Sequence, residues 1–357
     1  MSAAPTGDPT PAASLATVIG SFPGATQAAH DEAVRLVLGE FGQDPTGIPA
    51  VPEVPGRGAP AGMIGRTLGL FPAVGAWDAD LQPEGWRLTG TDGAPPIDQR
   101  RARSLLGQDL DTWEEQADGY AGAVKTQVTG PWTLAAAVER PRGDKVLADH
   151  GARRDLAQAL ALAVAEHVAD LRRRTPGADR VIVQVDEPGL PAVLAGRVPT
   201  ASGFGKHRVV HPPEADQGLR WVLEAIAEAG AEPWVHCCAP DAPLALLRGA
   251  GATGLAVDLG LVGGEGHDAL AQALEDGGTV ALGVVPTVAP SGALTDTAVL
   301  ERVLRWFDMT GLDPAEHLDQ VVLTPSCGLA GADAGWARRA VALTARATRG
   351  LAEAAQE

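Results

Sequence analysis

His236 and Cys238 stand two residues apart in "EPWVHCCAP" (232–240), directly after a short apolar run. On an extended strand, residues i and i+2 share a face, so these two point together while Cys237 points the other way. A soft thiolate beside an imidazole is a ligand pair for zinc. Cys327 in "TPSCG" (324–328) and Asp258 in "AVDLG" (256–260) would complete a set of two thiolates, one imidazole and one carboxylate. A structural reading competes at each position: free cysteine is commonly a small buried hydrophobe, and an aspartate ending a strand is commonly a cap. Cys237 is expected to pack between strand and helix.

Two further segments suit a substrate with an amino-acid head group. "VQVDEPG" (183–189) carries Asp186 and Glu187 to a strand end that Pro188 stops, and a carboxylate at that rim either pairs with a neighbouring cation or receives an ammonium group. In "GSFPGAT" (20–26), backbone amides and the Ser21 hydroxyl could hold a carboxylate, although a plain turn has the same composition. "KTQVTGPWTLA" (125–135) reads as a strand, a tight turn and a helix start. His207 and His211 fall in a loop, and His30, His150, His167, His267 and His317 in or beside helical sequence. All seven are expected to be structural or to face solvent.

These groups can meet only if several strand ends converge. Eight runs rich in β-branched residues, at 16–20, 48–51, 124–130, 180–188, 232–238, 254–260, 279–285 and 321–328, alternate with Ala- and Leu-rich stretches of helical period. Helices are expected over 151–174, 215–229, 266–277, 297–309 and 334–354. The alternation implies parallel strands crossed over by helices. Ser21, Glu53, Thr129, Asp186, His236 with Cys238, Asp258 and Cys327 all lie at downstream strand ends, which in a barrel share one mouth. The reading is α/β, a single (β/α)8 TIM barrel over 15–357 with an extended loop excursion after strand 2, spanning 52–110. A doubly wound open sheet is the competing architecture.

Composition narrows the partners. With 45 acidic against 28 basic side chains, the net charge of -17 argues against nucleic acid or an anionic membrane and favours a small ligand. Residues 1–14, "MSAAPTGDPTPAAS", lack the features of a secretion signal and suit a disordered tail. No unbroken apolar run reaches membrane-spanning length. A cytoplasmic protein is expected, in which three cysteines serve metal binding, reactivity or packing rather than disulfides.

Taken in order, "TVIGSFPGAT", "KTQVTGP", "VQVDEPGL", "VHCCAP" and "TPSCGL" resemble the catalytic barrel of cobalamin-independent methionine synthase, over about residues 16–350. The resemblance implies zinc-dependent methyl transfer to the sulfur of homocysteine. The family's zinc histidine and cysteines match His236, Cys238 and Cys327, and its zinc glutamate would fall at Asp258, a shorter carboxylate. Its amino-acid site carries over to Ser21 for the substrate carboxylate and Asp186 for the ammonium, with Glu53 as a second acidic partner. A free alkyl thiol titrates near ~8.5, whereas zinc favours the thiolate, which supplies the nucleophile.

Two departures bear on the methyl donor. The folate-dependent enzymes carry an additional N-terminal barrel, and the family's acid-bearing histidine of strand seven has no counterpart in "LGVVPTVAP" (282–290). N5 of a folate leaves better when protonated, whereas a corrinoid leaves as cobalt(I) and needs no proton. A methylcorrinoid, held by a corrinoid protein, is therefore the expected donor in preference to methyltetrahydrofolate. The rivals are a corrinoid-dependent methyltransferase acting on another thiol, a decarboxylase of the uroporphyrinogen type, and a non-catalytic zinc-binding partner.

Overall fold

Each strand expected from residue 124 onward forms, and all six lie parallel in one sheet. The structure, a computed structural model, describes residues 15–44, 46–90 and 94–355, so the tail expected at 1–14 lies outside the described residues. The chain runs from β1 (Leu15–Ala16) through α1 (Gln27–Phe41), α2 (Met63–Leu68), a hairpin of β2 (Ala79–Gln82) and β3 (Gly85–Leu88), and α3 (Ile97–Gln116). Strand and helix then alternate: β4 (Val124–Thr129), α4 (Pro131–Ala137), α5 (His150–Arg174), β5 (Val181–Asp186), α6 (Leu190–Leu194), α7 (Pro212–Glu228), β6 (Glu232–Cys237) and α8 (Leu244–Gly249). The last turns of the pattern are β7 (Gly254–Asp258), α9 (Gly264–Glu275), β8 (Thr279–Val285), α10 (Asp296–Thr310), β9 (Val321–Pro325) and α11 (Ala334–Ala354).

The seven-stranded sheet has the order β1-β9-β8-β7-β6-β5-β4 and curls into a TIM-like barrel. The run expected as strand two is not a regular strand. Pro49 and Pro52 lack the N–H that a central strand must donate, so residues 46–53 bond only at intervals. Ile48 N donates to the Ala16 carbonyl and Glu53 N to the Gly20 carbonyl on the β1 side, while Val51 N donates to the Lys125 carbonyl in β4.

Within the sheet, Ile19, Ile48, Ile182, Trp234, Ala256, Ala281 and Val322 form a buried layer separate from the larger core between sheet and helices. Trp234 is fully buried, and its bulk is matched by Gly254, its partner on β7, where a Cβ would come within 2.5 Å of the indole. Large against small is how a barrel interior fills. Lys125, Gln127, Gln184 and Asp186 continue upward from this layer on the same strand faces, because side chains alternate with period two.

The 52–110 excursion is folded rather than an extended loop. It buries Leu68, Phe71, Trp86 and Leu88, and apolar burial of that kind selects short helices and a hairpin, whose backbone groups pair with one another. No helix among the described residues is long and apolar enough to cross a membrane.

Two of the histidines expected to be structural sit in the core. His167 on α5 meets Thr126 Oγ1 at 3.1 Å, and burial pushes its imidazole from 6.5 down to about 4. Burial likewise pushes His30 from 6.5 down to about 4. Each is neutral in the folded chain, so between about 6.5 and 4 only the unfolded chain binds the proton. Stability is therefore full above the unfolded value and falls as pH drops through this window, by up to about 1.4 kcal/mol per pH unit for each histidine. Urea midpoints should fall between pH 7 and pH 5, and His167→Gln should flatten that slope. An unchanged slope in the variant would refute the assignment.

Candidate metal centre and substrate pocket

His236 is the penultimate residue of β6, Cys238 follows that strand, and Cys327 lies two residues beyond β9. Parallel strands end at the same level, so three side chains from distant sequence meet at the C-terminal mouth. One ligand atom from each lies within 4.8 Å of the others. Cys238 Sγ is 3.0 Å from Cys327 Sγ, which is 3.6 Å from His236 Nε2. His236 Nδ1 donates to the Ala256 carbonyl at 3.1 Å; a carbonyl only accepts, so the Nε2 lone pair faces the sulfurs. A tetrahedral zinc site places sulfur and nitrogen ligands about 3.6 Å apart, and the two sulfurs would separate by less than about 1 Å to reach such spacing. The donor set and its orientation fit zinc.

The hydrogen bond from Cys238, reinforced by His236, holds the Cys327 thiol well below the usual thiol range, and Cys238, as the donor, is pushed up. Burial opposes the charge on His236, but its bond to Cys327 and the nearby Asp186 outweigh this and raise it. Cys237 points away, is buried, and is pushed up to about 12 by that burial.

Asp258 is not brought into the cluster. As the last residue of β7 it accepts from Gly260 N at 3.0 Å, capping the 3-10 turn that follows, and its short side chain is occupied there. The described geometry thus gathers three of the four expected ligands within 4.8 Å of one another.

Asp186 ends β5 directly beside His236 in the strand register. Gln184 Nε2 donates to its Oδ1 at 2.7 Å, while Oδ2 has no hydrogen-bond partner among the described residues. Burial pushes the Asp186 carboxyl up and the ammonium of fully buried Lys125 down. Lys125 Nζ donates to the Ile19 carbonyl at 2.9 Å and to Gln184 Oε1 at 2.8 Å, so Gln184 links the two charges. Glu187, the next residue, faces elsewhere. It accepts from Trp132 N and Thr133 N, both at 2.8 Å, and from Thr133 Oγ1 at 2.6 Å, capping the N-terminus of α4.

Ser21 and Glu53 are side by side, joined by an isolated parallel β-bridge. Ser21 Oγ has no partner among the described residues and rests against Gly328, where a Cβ would stand 1.9 Å from it. The Ser21 carbonyl also accepts from Leu329 N at 2.7 Å, which ties the serine to the turn carrying Cys327. Glu53 Oε1 receives Gln127 Nε2 at 3.0 Å and Arg66 Nε at 3.3 Å. Behind it, fully buried Asp109 is gripped bidentately by Arg57, with Nη1–Oδ1 of 2.8 Å and Nη2–Oδ2 of 2.7 Å, and is bonded by Arg66 as well.

Sequence reasoning did not single out Lys125, Gln127, Gln184, Arg66 or Asp109. A signal existed for the first three: in "VKTQVT" and "VIVQVD" they occupy the same alternating face that ends at Thr129 and Asp186. Arg66 and Asp109 offer no local signal, being 43 residues apart.

A parallel α/β barrel with thiols, imidazole and carboxylates gathered at the C-terminal mouth is the arrangement of a barrel enzyme rather than of a passive binding module. The family described as cobalamin-independent synthase, catalytic domain, matches residues 111–349, and the chain belongs to it. It is thus an enzyme of the methionine-synthase-like methyltransferase type. A B12-independent methionine synthase from Shewanella sp. W3-18-1, solved in complex with selenomethionine, shares the fold with a TM-score of 0.62 at 14% identity, over 96% of this chain and 99% of that one. A β-mannanase from the blue mussel Mytilus edulis aligns with a TM-score of 0.43 at 11% identity, over 94% and 92% of the two chains. No curated protein matches the sequence.

The family's description corrects the donor expectation. A cobalamin-independent synthase does not support a methylcorrinoid donor or a corrinoid-protein partner. The missing histidine of strand seven was a weak basis for either, since a proton can reach a leaving amine from another strand end or from water.

Proposed function

We propose that the chain transfers a methyl group from methyltetrahydrofolate to the thiol of homocysteine, producing methionine. The convergence of His236, Cys238 and Cys327 at one end of the barrel carries this reading, because it provides what a neutral alkyl thiol lacks. These three side chains would hold the zinc, which when bound favours the ionised form of a substrate thiol. Asp258 is the nearest strand-end carboxylate in sequence to a fourth ligand, and substrate sulfur is the other candidate for that position.

The remaining residues orient the amino acid. The free Ser21 hydroxyl suits its carboxylate, and the unpaired Asp186 Oδ2, with Glu53 near enough to act on it electrostatically, suits its ammonium. Binding at both ends replaces a bimolecular search by a positioned attack. In the step itself the sulfur lone pair forms the S–C bond, the N5–C bond breaks, and its electron pair stays on N5 and takes up a proton. Counting residues 46–53 as the second stave, we take 15–357 as one (β/α)8 barrel, and three free thiols suit the reducing cytosol.

The direct test supplies purified protein with zinc, homocysteine and methyltetrahydrofolate. Methionine should form, and omission of zinc from metal-stripped protein should remove the activity. Failure to form methionine with all three present would overturn the reading.

A further inference from the structure

Lys125 is fully buried inside the barrel, and the transfer reaction described above gives it no task. Its Nζ rests on the Ile19 carbonyl at 2.9 Å and on Gln184 Oε1 at 2.8 Å rather than on a carboxylate. Burying a charge on neutral acceptors is costly, and an apolar side chain of similar volume would fill the space without that cost. What the lysine supplies is direction. Toward two acceptors its nitrogen donates, and it carries N–H groups enough for both whether or not it is charged, so the Gln184 amide must present Oε1 to it. The amide nitrogen then faces the other way: Nε2 donates to the Ile19 carbonyl at 3.1 Å and to Asp186 Oδ1 at 2.7 Å. Turned over, the amide would set its oxygen against the Asp186 carboxylate and its N–H groups against the lysine. The effect reaches both ends of the proposed amino-acid site. With Oδ1 committed to Gln184, Oδ2 is the Asp186 oxygen left for an ammonium group. Ile19 lies two residues before Ser21, so the carbonyl that Lys125 and Gln184 share belongs to the segment that carries the hydroxyl.

We propose that Lys125 is a positioning residue for amino-acid recognition: by fixing the Gln184 amide it aims the free oxygen of Asp186 at the substrate ammonium. This rests on the amino-acid reading of the pocket above, and binding measured without a methyl donor tests the two separately. Titration calorimetry of zinc-loaded protein with homocysteine and with 4-mercaptobutyrate, which keeps the thiol and the carboxylate but lacks the ammonium, isolates the group in question. Wild-type protein should bind homocysteine at least roughly tenfold more tightly than 4-mercaptobutyrate, the usual worth of a charged hydrogen bond. Lys125→Met, similar in length and uncharged, should lose most of that preference while holding 4-mercaptobutyrate and zinc as before. Gln184→Met should do the same, and the double variant should lose no more than either single one, because both cut the same relay. Equal weakening toward the two thiols would show that the lysine only supports the fold, and a preference that survives in Lys125→Met, or losses that add, would likewise overturn the proposal. Should Lys125→Met fail to fold, Gln184→Met decides: a lost preference supports the relay and an intact one overturns it. Wild-type protein that binds both thiols equally would instead sink the amino-acid reading on which the proposal stands.

Discussion

Cys238→Ser and Cys327→Ser will each abolish tight metal binding and lower methionine formation by more than a hundredfold, whereas Cys237→Ser will retain both. The contrast follows from direction along one strand and its neighbour. Cys238 and Cys327 put their sulfurs 3.0 Å apart beside His236, while Cys237 is buried on the opposite face. Changes to groups that merely orient a metal ligand typically cost 10–100-fold in affinity or activity, so removal of a ligand should cost more than about a hundredfold. At position 237 a hydroxyl replaces an inert thiol in an apolar setting, with an expected stability loss of about 1–3 kcal/mol and no change in metal content. Elemental analysis of protein purified without added zinc, together with methionine assays, decides it. Equal metal loss from Cys237→Ser would mean that the register of β6 is shifted by one residue.

The second large effect lies away from the metal. Asp109→Asn keeps the shape of the side chain but removes the charge that Arg57 and Arg66 share, leaving guanidinium groups that are 5% and 6% exposed. Four buried groups are balanced here: two arginines against Asp109 and Glu53. Breaking a buried pair by removing one partner costs about 3–5 kcal/mol, because the other charge stays behind without its counter-ion. Urea unfolding should show a loss of that size with an unchanged m-value. A second consequence is that Arg66 turns its full charge on Glu53, so the KM for homocysteine should rise more than kcat falls. A loss below about 1 kcal/mol would show that water reaches the cluster and screens it.

The periodic parts of the fold were legible because short runs rich in β-branched residues alternate with Ala- and Leu-rich stretches of helical period, even where Lys125 and Gln127 interrupt the apolar pattern of β4. From "VKTQVTG" onward, strands and helices fall within a few residues of their expected bounds. The metal cluster was legible for a related reason: His236, Cys238 and Cys327 sit at strand ends, and period-two alternation fixes their direction. Residues 48–51 misled because β-branched content is read locally, whereas the cost of Pro49 and Pro52 appears only when both neighbouring strands require donors. The excursion was read as loop because Gly and Pro obscure short elements, and its burial of Phe71 and Trp86 depends on partners far along the chain. Asp258 caps the turn that follows it, which is the other role a strand-end aspartate offered from the sequence. The same strand end that a longer glutamate could extend from is, for aspartate, within reach of its own following amide.

Ser21 and the Cys327 turn are fastened together, through Leu329 N on the Ser21 carbonyl and the close seat of Gly328 beneath Oγ. For the proposed substrate this makes a molecular ruler: the hydroxyl that would grip the carboxylate and a sulfur that would grip the metal cannot drift apart. An amino acid one methylene shorter, such as cysteine, would reach one end of the gauge but not the other. Discrimination of roughly 10–200-fold against cysteine, the usual worth of a methylene in a shaped site, should then arise without any side chain that contacts the missing carbon.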